Sequence, residues 1–164
     1  MHGGMSDLPI AFERATVRAG DVTILNGVSL SILPGAPTLL VGPNGSGKST
    51  LIKLGMGLIE ASDGRVSWGG RTTADSPRRA MVFQRPVMLR RTAAENIAYA
   101  LASRGVAKGE HPARIDALLR QVGLPHLKNR PARRLSGGEQ QRLALARALA
   151  CEPPESRRAG RFFR

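Results

Sequence analysis

Two short stretches carry residues whose types and spacing could do chemistry. The first is GPNGSGKST, residues 42–50, made of Gly42, Pro43, Asn44, Gly45, Ser46, Gly47, Lys48, Ser49 and Thr50. Its pattern, G-x-x-x-x-G-K-[ST], suits a chain that wraps a phosphate group. Phosphate oxygens need several backbone N–H donors converging on them, and glycines let the backbone come that close. A helix opening near Lys48 would aim the positive end of its dipole at the same anion. Lys48 would reach the outer phosphates as a point charge, and Ser49 would lend its hydroxyl to Mg²⁺. The plainer alternative is a glycine loop that only joins a strand to a helix.

The second stretch is LSGGEQQRLALARALA, residues 135–150. Ser136 and Glu139 have the spacing of a capping box, and the Gln, Arg, Leu and Ala that follow are good helix formers. A surface helix would need nothing more. Gly137 and Gly138 add a helix start that an anion can approach, which a plain cap does not require.

These stretches need elements to position them. Residues 10–33 alternate β-branched and apolar segments with Gly and Asp breaks, which predicts paired strands. TLLVG (38–42) is a continuous apolar run with the look of a buried parallel strand. KSTLIKLGMGLI (48–59) reads as a helix despite Gly55 and Gly57. GRVSWGG (64–70) and RRAMVFQ (78–84) read as strands, with Trp68 a packing residue. TAAENIAYALASRG (92–105) opens on a Thr-x-x-Glu capping pattern. Ile115, Leu118, Leu119 and Val122 make a helical stripe that Gly123 should end. The expected organisation is one domain: a β-rich and phosphate-loop core over about 8–85, a helical subdomain over 86–135, the helix of 136–150, and an aberrant tail over 151–164.

Composition bounds the rest. A chain of 164 residues with 41% hydrophobic and 23% charged content fits one soluble globular domain, and 4% aromatics implies an aliphatic core. The net charge of +13 favours polyanionic partners, although four of the arginines lie in the tail. The single cysteine, Cys151, forms no internal disulfide and suits a reducing compartment. No secretory signal pattern and no bilayer-length apolar run is visible, so a cytoplasmic location is expected, with any membrane association through a partner.

Together the two stretches resemble the ATP-binding cassette family, the ATPase subunits of ABC transporters. GPNGSGKST is similar to its Walker A loop and LSGGEQ to its signature motif, while MVFQRP places Gln84 at its Q-loop. The resemblance covers residues from about 10 to 153. It implies an α/β P-loop NTPase fold with an N-terminal antiparallel β part and an inserted helical subdomain. It also implies ATP and Mg²⁺ as cofactors, with Ser49 and Gln84 toward the metal. Cassettes work as head-to-tail pairs, so Ser136, Gly137, Gly138, Glu139 and Gln140 would meet ATP held by a second subunit. The helical subdomain would dock a membrane permease at the inner face of the plasma membrane, with a substrate-binding protein engaged indirectly. MVFQRPVMLRRTAAENIAYAL looks most like importers of oxyanions such as tungstate, molybdate or phosphate. Nucleic acid is not an expected partner: a nucleic-acid-associated cassette protein, suggested by the charge, usually has two cassettes or a long coiled-coil insertion.

Two departures stand out. The family stacks adenine on an aromatic residue where this chain has Ala19, and Phe12 could substitute only with a shifted alignment. The family also follows its signature helix with an apolar strand ending in Asp-Glu, the Walker B metal and catalytic pair, and later a switch histidine. Here Glu152 and Pro153 lead into PESRRAGRFFR, no Asp follows Asp116, and His2, His111 and His126 all precede the signature. His111 and His126 read as polar residues of the helical subdomain. The expectation is a truncated cassette lacking part of its core sheet, most simply through a frameshift near Pro153, and poor in hydrolysis by itself. A native tail on a non-hydrolysing ATP-binding partner or regulatory module is the rival.

Overall fold

The computed structural model describes residues 7–35, 37–73 and 79–151. It has two compact units, Met1–Pro77 and Arg78–Arg164.

In the first unit, β1 (Ile10–Ala19) and β2 (Val22–Ile32) form the expected hairpin, and β3 (Asp63–Trp68) pairs with the other edge of β1. All pairs are antiparallel, with Phe12 opposite Leu30 on one side and Val66 on the other. Phe12, Val17, Leu25, Val66 and Trp68 share one core with Leu51 and Leu54 of the helix α1 (Lys48–Gly55), Phe12 and Val17 lying on either side of register shifts in β1. Gly55 lets α1 lie close to the sheet, because a Cβ there would stand 2.9 Å from the Phe12 ring. Trp68 is a packing residue whose Nε1–H donates to the Gly55 carbonyl at 2.6 Å. Gly64 has φ +74°, and a Cβ on it would stand 2.2 Å from the Arg14 carbonyl oxygen, where β1 is irregular.

Two expected strands are absent. Residues 38–41 form no strand, and Leu39 and Val41 are 86% and 80% exposed. The described residues of 78–84 form none either, and Val82 and Phe83 are exposed. An apolar run signals surface to be buried; a strand also needs a neighbour to complete its ladder. Among the described residues the sheet consists of β1, β2 and β3, in the order β2-β1-β3. The helix expected over 48–59 also stops early: Gly57 N–H bonds the Leu54 carbonyl and Leu58 N–H the Lys53 carbonyl, which closes the helix end.

The second unit is helical. α2 (Ala93–Ala102), α3 (His111–Gln121) and α4 (Gly137–Ala150) share a core in which Ile97, Leu101, Leu118, Leu119, Leu124 and Leu143 are fully buried. The stripe Ile115, Leu118, Leu119, Val122 faces inward as its spacing predicts. The Thr92–Glu95 capping box opens α2 in both directions. Asn96 is a polar residue on the buried face of α2. Its Oδ1 accepts from Leu89 N–H at 3.1 Å, and its Nδ2 donates to the Thr92 carbonyl at 2.9 Å. It therefore pins the turn before α2.

The charge is divided unevenly. Met1–Pro77 holds six basic and six acidic residues, and Arg78–Arg164 holds 19 and six, so the whole +13 belongs to the helical unit.

Candidate functional site

Residues 42–50 lie in the first unit, between an extended segment and α1. The N-cap of α1 is Gly47, in the left-handed region at φ +83°, and no side chain caps the helix. A side chain is excluded there on two counts. The conformation is strained for L residues, and a Cβ would stand 2.7 Å from Leu25 Cδ2 and 3.0 Å from the Ile24 carbonyl oxygen. The loop is thus seated on β2, a contact no motif announces. Gly45 is also left-handed, at φ +82°. Gly42 packs closely as well: a Cβ on it would be 2.9 Å from Ser46 Oγ.

The Lys48 ammonium turns back into the loop. It donates to the carbonyls of Gly42 at 2.8 Å and Pro43 at 2.5 Å, with Ser46 Oγ at 3.4 Å. Ser49 is exposed at the first turn of the helix. A helix start without a side-chain cap, a dipole end and an ammonium gathered in one loop make an anion receptor. These residues fit a phosphate chain. Among the described residues no cluster of three or more His, Cys, Asp or Glu could hold a metal. A divalent cation beside Ser49 would draw on phosphate oxygens and water as well, as Mg²⁺ commonly does.

The start of α4, in the second unit, is built differently. Ser136 N–H donates to Glu139 Oε2 at 2.7 Å, and Glu139 N–H donates to Ser136 Oγ at 3.4 Å. This is the capping box its spacing predicts, so the helix start is occupied by its own side chains. The Ser136 backbone N–H, and after it the Ser136 hydroxyl, hold the Glu139 carboxyl below the usual carboxylate range. Ser136, Gly137 and Gly138 are exposed, and Gln140 Nε2 donates to the Leu135 carbonyl at 2.8 Å, bracing the turn.

Gln84 is exposed, and its backbone carbonyl accepts from Gln141 Nε2 at 3.2 Å. Gln84, Gly138, Gln141 and Arg142 share one open depression of about 570 Å³. The structure thus brings the backbone of Gln84 to α4 within the second unit. Gln141 and Arg142 were not singled out from sequence, because nothing in a helix pattern says which exposed residue will meet a distant loop.

The remaining candidates settle simply. Phe12 is 3% exposed and packed in the core, so it offers no ring to a base, while Ala19 is exposed at the end of β1. His111 Nε2 lies 3.0 Å from the Val106 carbonyl oxygen, a contact that holds the turn before α3. His126 lies in a short helical turn, Pro125–Leu127. His2 and the tail from Glu152 onward lie outside the described residues. No helix among the described residues is long and apolar enough to cross a membrane.

Comparison with known proteins agrees with this geometry. A sequence profile of the ABC transporter family matches residues 25–154. The Fe(3+) ions import ATP-binding protein FbpC of Brucella abortus is 40% identical over 149 residues, covering 88% of this chain and 42% of that protein. The tungstate uptake system ATP-binding protein TupC of Peptoclostridium acidaminophilum is 42% identical over 135 residues, covering 82% and 63%. The chain therefore spans between about two fifths and two thirds of the length of these relatives. Among solved structures, cbiO1 from Clostridium perfringens, part of the ABC transporter complex cbiONQ, superposes with a TM-score of 0.79 at 26% identity, covering 90% of this chain and 63% of that one. An ATP-binding cassette of an ABC transporter superposes with a TM-score of 0.75 at 32% identity, covering 88% and 66%. An unbroken profile match running from β2 through the phosphate loop to the end of α4 leaves one assignment: this chain belongs to the ABC transporter family, with the P-loop NTPase fold of its ATP-binding subunits.

Proposed function

We propose that this chain is the ATP-binding subunit of an ABC importer, coupling ATP binding and hydrolysis to uptake of a small inorganic solute. The observation that carries the reading is the loop of residues 42–50, where a helix start with no side-chain cap meets an ammonium held inside the turn. Gly45, Gly47 and the N–H groups that open α1 would hold the phosphates of ATP, Lys48 would trade its carbonyl partners for phosphate oxygens, and Ser49 would face Mg²⁺. Bound Mg²⁺ supplies charge neutralisation between the outer phosphates. Ser136, Gly137 and Gly138, with Glu139 and Gln140 holding their turn, would meet ATP on a second subunit. Gln84 would report the state of the nucleotide to α4 through its contact with Gln141.

In the helical unit, an open groove of about 380 Å³ lined by Met81, Phe83, Tyr99, Arg104 and Arg147 is suited to an apolar element of a permease subunit. That partner would place the chain at the inner face of the plasma membrane. An oxyanion is the proposed solute class, supported by the likeness to the tungstate uptake protein and to the sulfate/thiosulfate import ATP-binding protein CysA of Mycobacterium bovis, the latter 41% identical. The Fe(3+) relatives make a metal cation the outcome to test against it.

The reading is tested by titrating the purified chain with ATP and Mg²⁺, then measuring phosphate release alone and with the permease reconstituted. Saturable, Mg²⁺-dependent ATP binding is expected; its absence from a folded chain would remove the proposal. A second reading is a partner that binds ATP without hydrolysing it. Binding with no phosphate release, alone or with the permease, would select that second reading.

A further inference from the structure

Part of the positive charge of the helical unit is gathered in one place. Two of its turns are joined through their backbones. Ala93 N–H donates to the Arg130 carbonyl at 3.0 Å, Ala94 N–H to the Lys128 carbonyl at 2.9 Å, and Ala132 N–H to the Arg91 carbonyl at 2.9 Å. Thr92 and Pro131 face each other in this short antiparallel bridge. The junction brings Arg90 and Arg91, from the turn before α2, together with Arg130, Arg133 and Arg134, from the turn before α4. All five are exposed. Arg133 Nε donates to the Met88 carbonyl at 3.3 Å and ties the two turns again.

Among the described residues no carboxylate forms an ion pair with any of the five. Glu95 and Glu139 sense Arg91 and Arg130, but each carboxyl is bound in the capping box of its own helix. Asp116 is taken by Lys128 at 2.7 Å. Like charges repel, so five guanidinium groups on a fixed scaffold favour a partner that brings several negative charges at once. Arginine suits phosphate oxygens in particular, because its planar donors bind them in pairs. Nucleic acid and acidic phospholipid both offer such oxygens. Neither turn carries a Phe, Tyr or Trp on which a base could stack, whereas a headgroup layer asks only for charge.

We infer that this arginine cluster is a docking surface for the anionic headgroups of a phospholipid bilayer, an inference that rests on the membrane-face placement proposed above. Clusters of about four to eight Lys or Arg beside a membrane attract acidic lipids. Each such residue strengthens binding about fivefold, so Arg90, Arg91, Arg130 and Arg134 together account for roughly several hundredfold. The attachment needs no nucleotide.

The test sediments the full chain, without nucleotide, with vesicles of phosphatidylcholine alone or mixed with phosphatidylglycerol. Binding to the acidic vesicles should exceed binding to the neutral ones by about 100-fold or more. It should fall away between roughly 0.15 M and 1 M salt, as the Debye length shrinks from about 8 to about 3 Å. A chain carrying Arg90→Gln, Arg91→Gln, Arg130→Gln and Arg134→Gln should lose about 100-fold or more. A second chain carrying Arg18→Gln, Lys53→Gln, Lys108→Gln and Arg120→Gln sheds the same charge from exposed positions elsewhere. It should stay within roughly threefold of the unaltered chain. Far-UV circular dichroism checks that the helices persist. If the first combination unfolds, Arg90→Gln and Arg134→Gln taken singly should each lose about fivefold. Equal binding to both kinds of vesicle would overturn the inference. So would equal losses from the two combinations, which would mean that net charge alone is read. Cluster-dependent binding to a DNA duplex with none to the vesicles would also overturn it, in favour of a nucleic-acid surface. Each of these results leaves the nucleotide reading standing, since the ATP titration tests that separately.

Discussion

Replacing Lys48 with Ala separates a phosphate site from a loop that merely connects a strand to a helix. In the chain as described, the ammonium donates to two carbonyls, of Gly42 and Pro43, and all three of its contacts are exposed. Water can take over those acceptors, so the folded state should lose less than ~1 kcal/mol, a shift of a few degrees in Tm. A bound triphosphate changes the balance. A hydrogen bond to a charged partner contributes ~1.5–3 kcal/mol, and losing one such bond from the bound state weakens affinity by roughly 10- to 150-fold. The variant should therefore keep its fold and lose its ligand. Trp68, the only tryptophan, is buried against α1 and reports the fold by its fluorescence. Fluorescent-nucleotide titration reports the affinity. Unchanged Trp68 emission together with unchanged nucleotide affinity would refute the argument, because the loop would then be only a connector.

Other perturbations follow from the same geometry. Gly64→Ala combines a left-handed φ with a Cβ 2.2 Å from the Arg14 carbonyl oxygen, and should cost at least ~2 kcal/mol, read as a lowered urea midpoint. Asn96→Ala leaves the Leu89 N–H without its acceptor inside the helical unit, while the Thr92 carbonyl keeps the backbone N–H of residue 96, and should cost about 1–3 kcal/mol, measured by thermal unfolding at 222 nm. Glu95 and Glu139 both have carboxyls held below the usual range, chiefly by the backbone N–H groups of Thr92 and Ser136. Their folded pKa values lie below the unfolded ones, so the capping contribution is complete above the ordinary carboxylate pKa and is lost as pH falls through the lowered values. The doubly substituted Glu95→Gln, Glu139→Gln chain should lose less stability over that acid range than the unaltered chain; equal slopes in a Tm-versus-pH series would contradict this.

What could be read in advance was local. The capping boxes at Thr92 and Ser136 depend on residues three apart on one turn of helix, so their geometry follows from spacing. The stripe ending at Val122 and the hairpin of residues 10–32 are periodic patterns of the same kind. The glycine placement and lysine position on which the phosphate-loop proposal rests were equally legible, because they are properties of the stretch of residues 42–50 itself. Asn96 left a fainter signal, a polar residue among the apolar positions of α2, and its role emerges only from its bonds to Leu89 and Thr92.

Tertiary structure decided everything that needed a remote partner. TLLVG and the residues around Phe83 have the composition of buried strands, yet a strand exists only where another chain segment supplies its ladder, and composition does not name that segment. Phe12, which could serve a base only under a shifted alignment, is packed between Gly55 of α1 and the strand pairing with Val66. The seat of the phosphate loop on Ile24 and Leu25 and the link from Gln141 to Gln84 are both consequences of which distant residues pack together. Sequence by itself determined the chemistry of each short stretch, since that chemistry is written within a few bonds. Only the fold determined which stretches meet and which side chains remain exposed, because burial and pairing are properties of the whole packed chain.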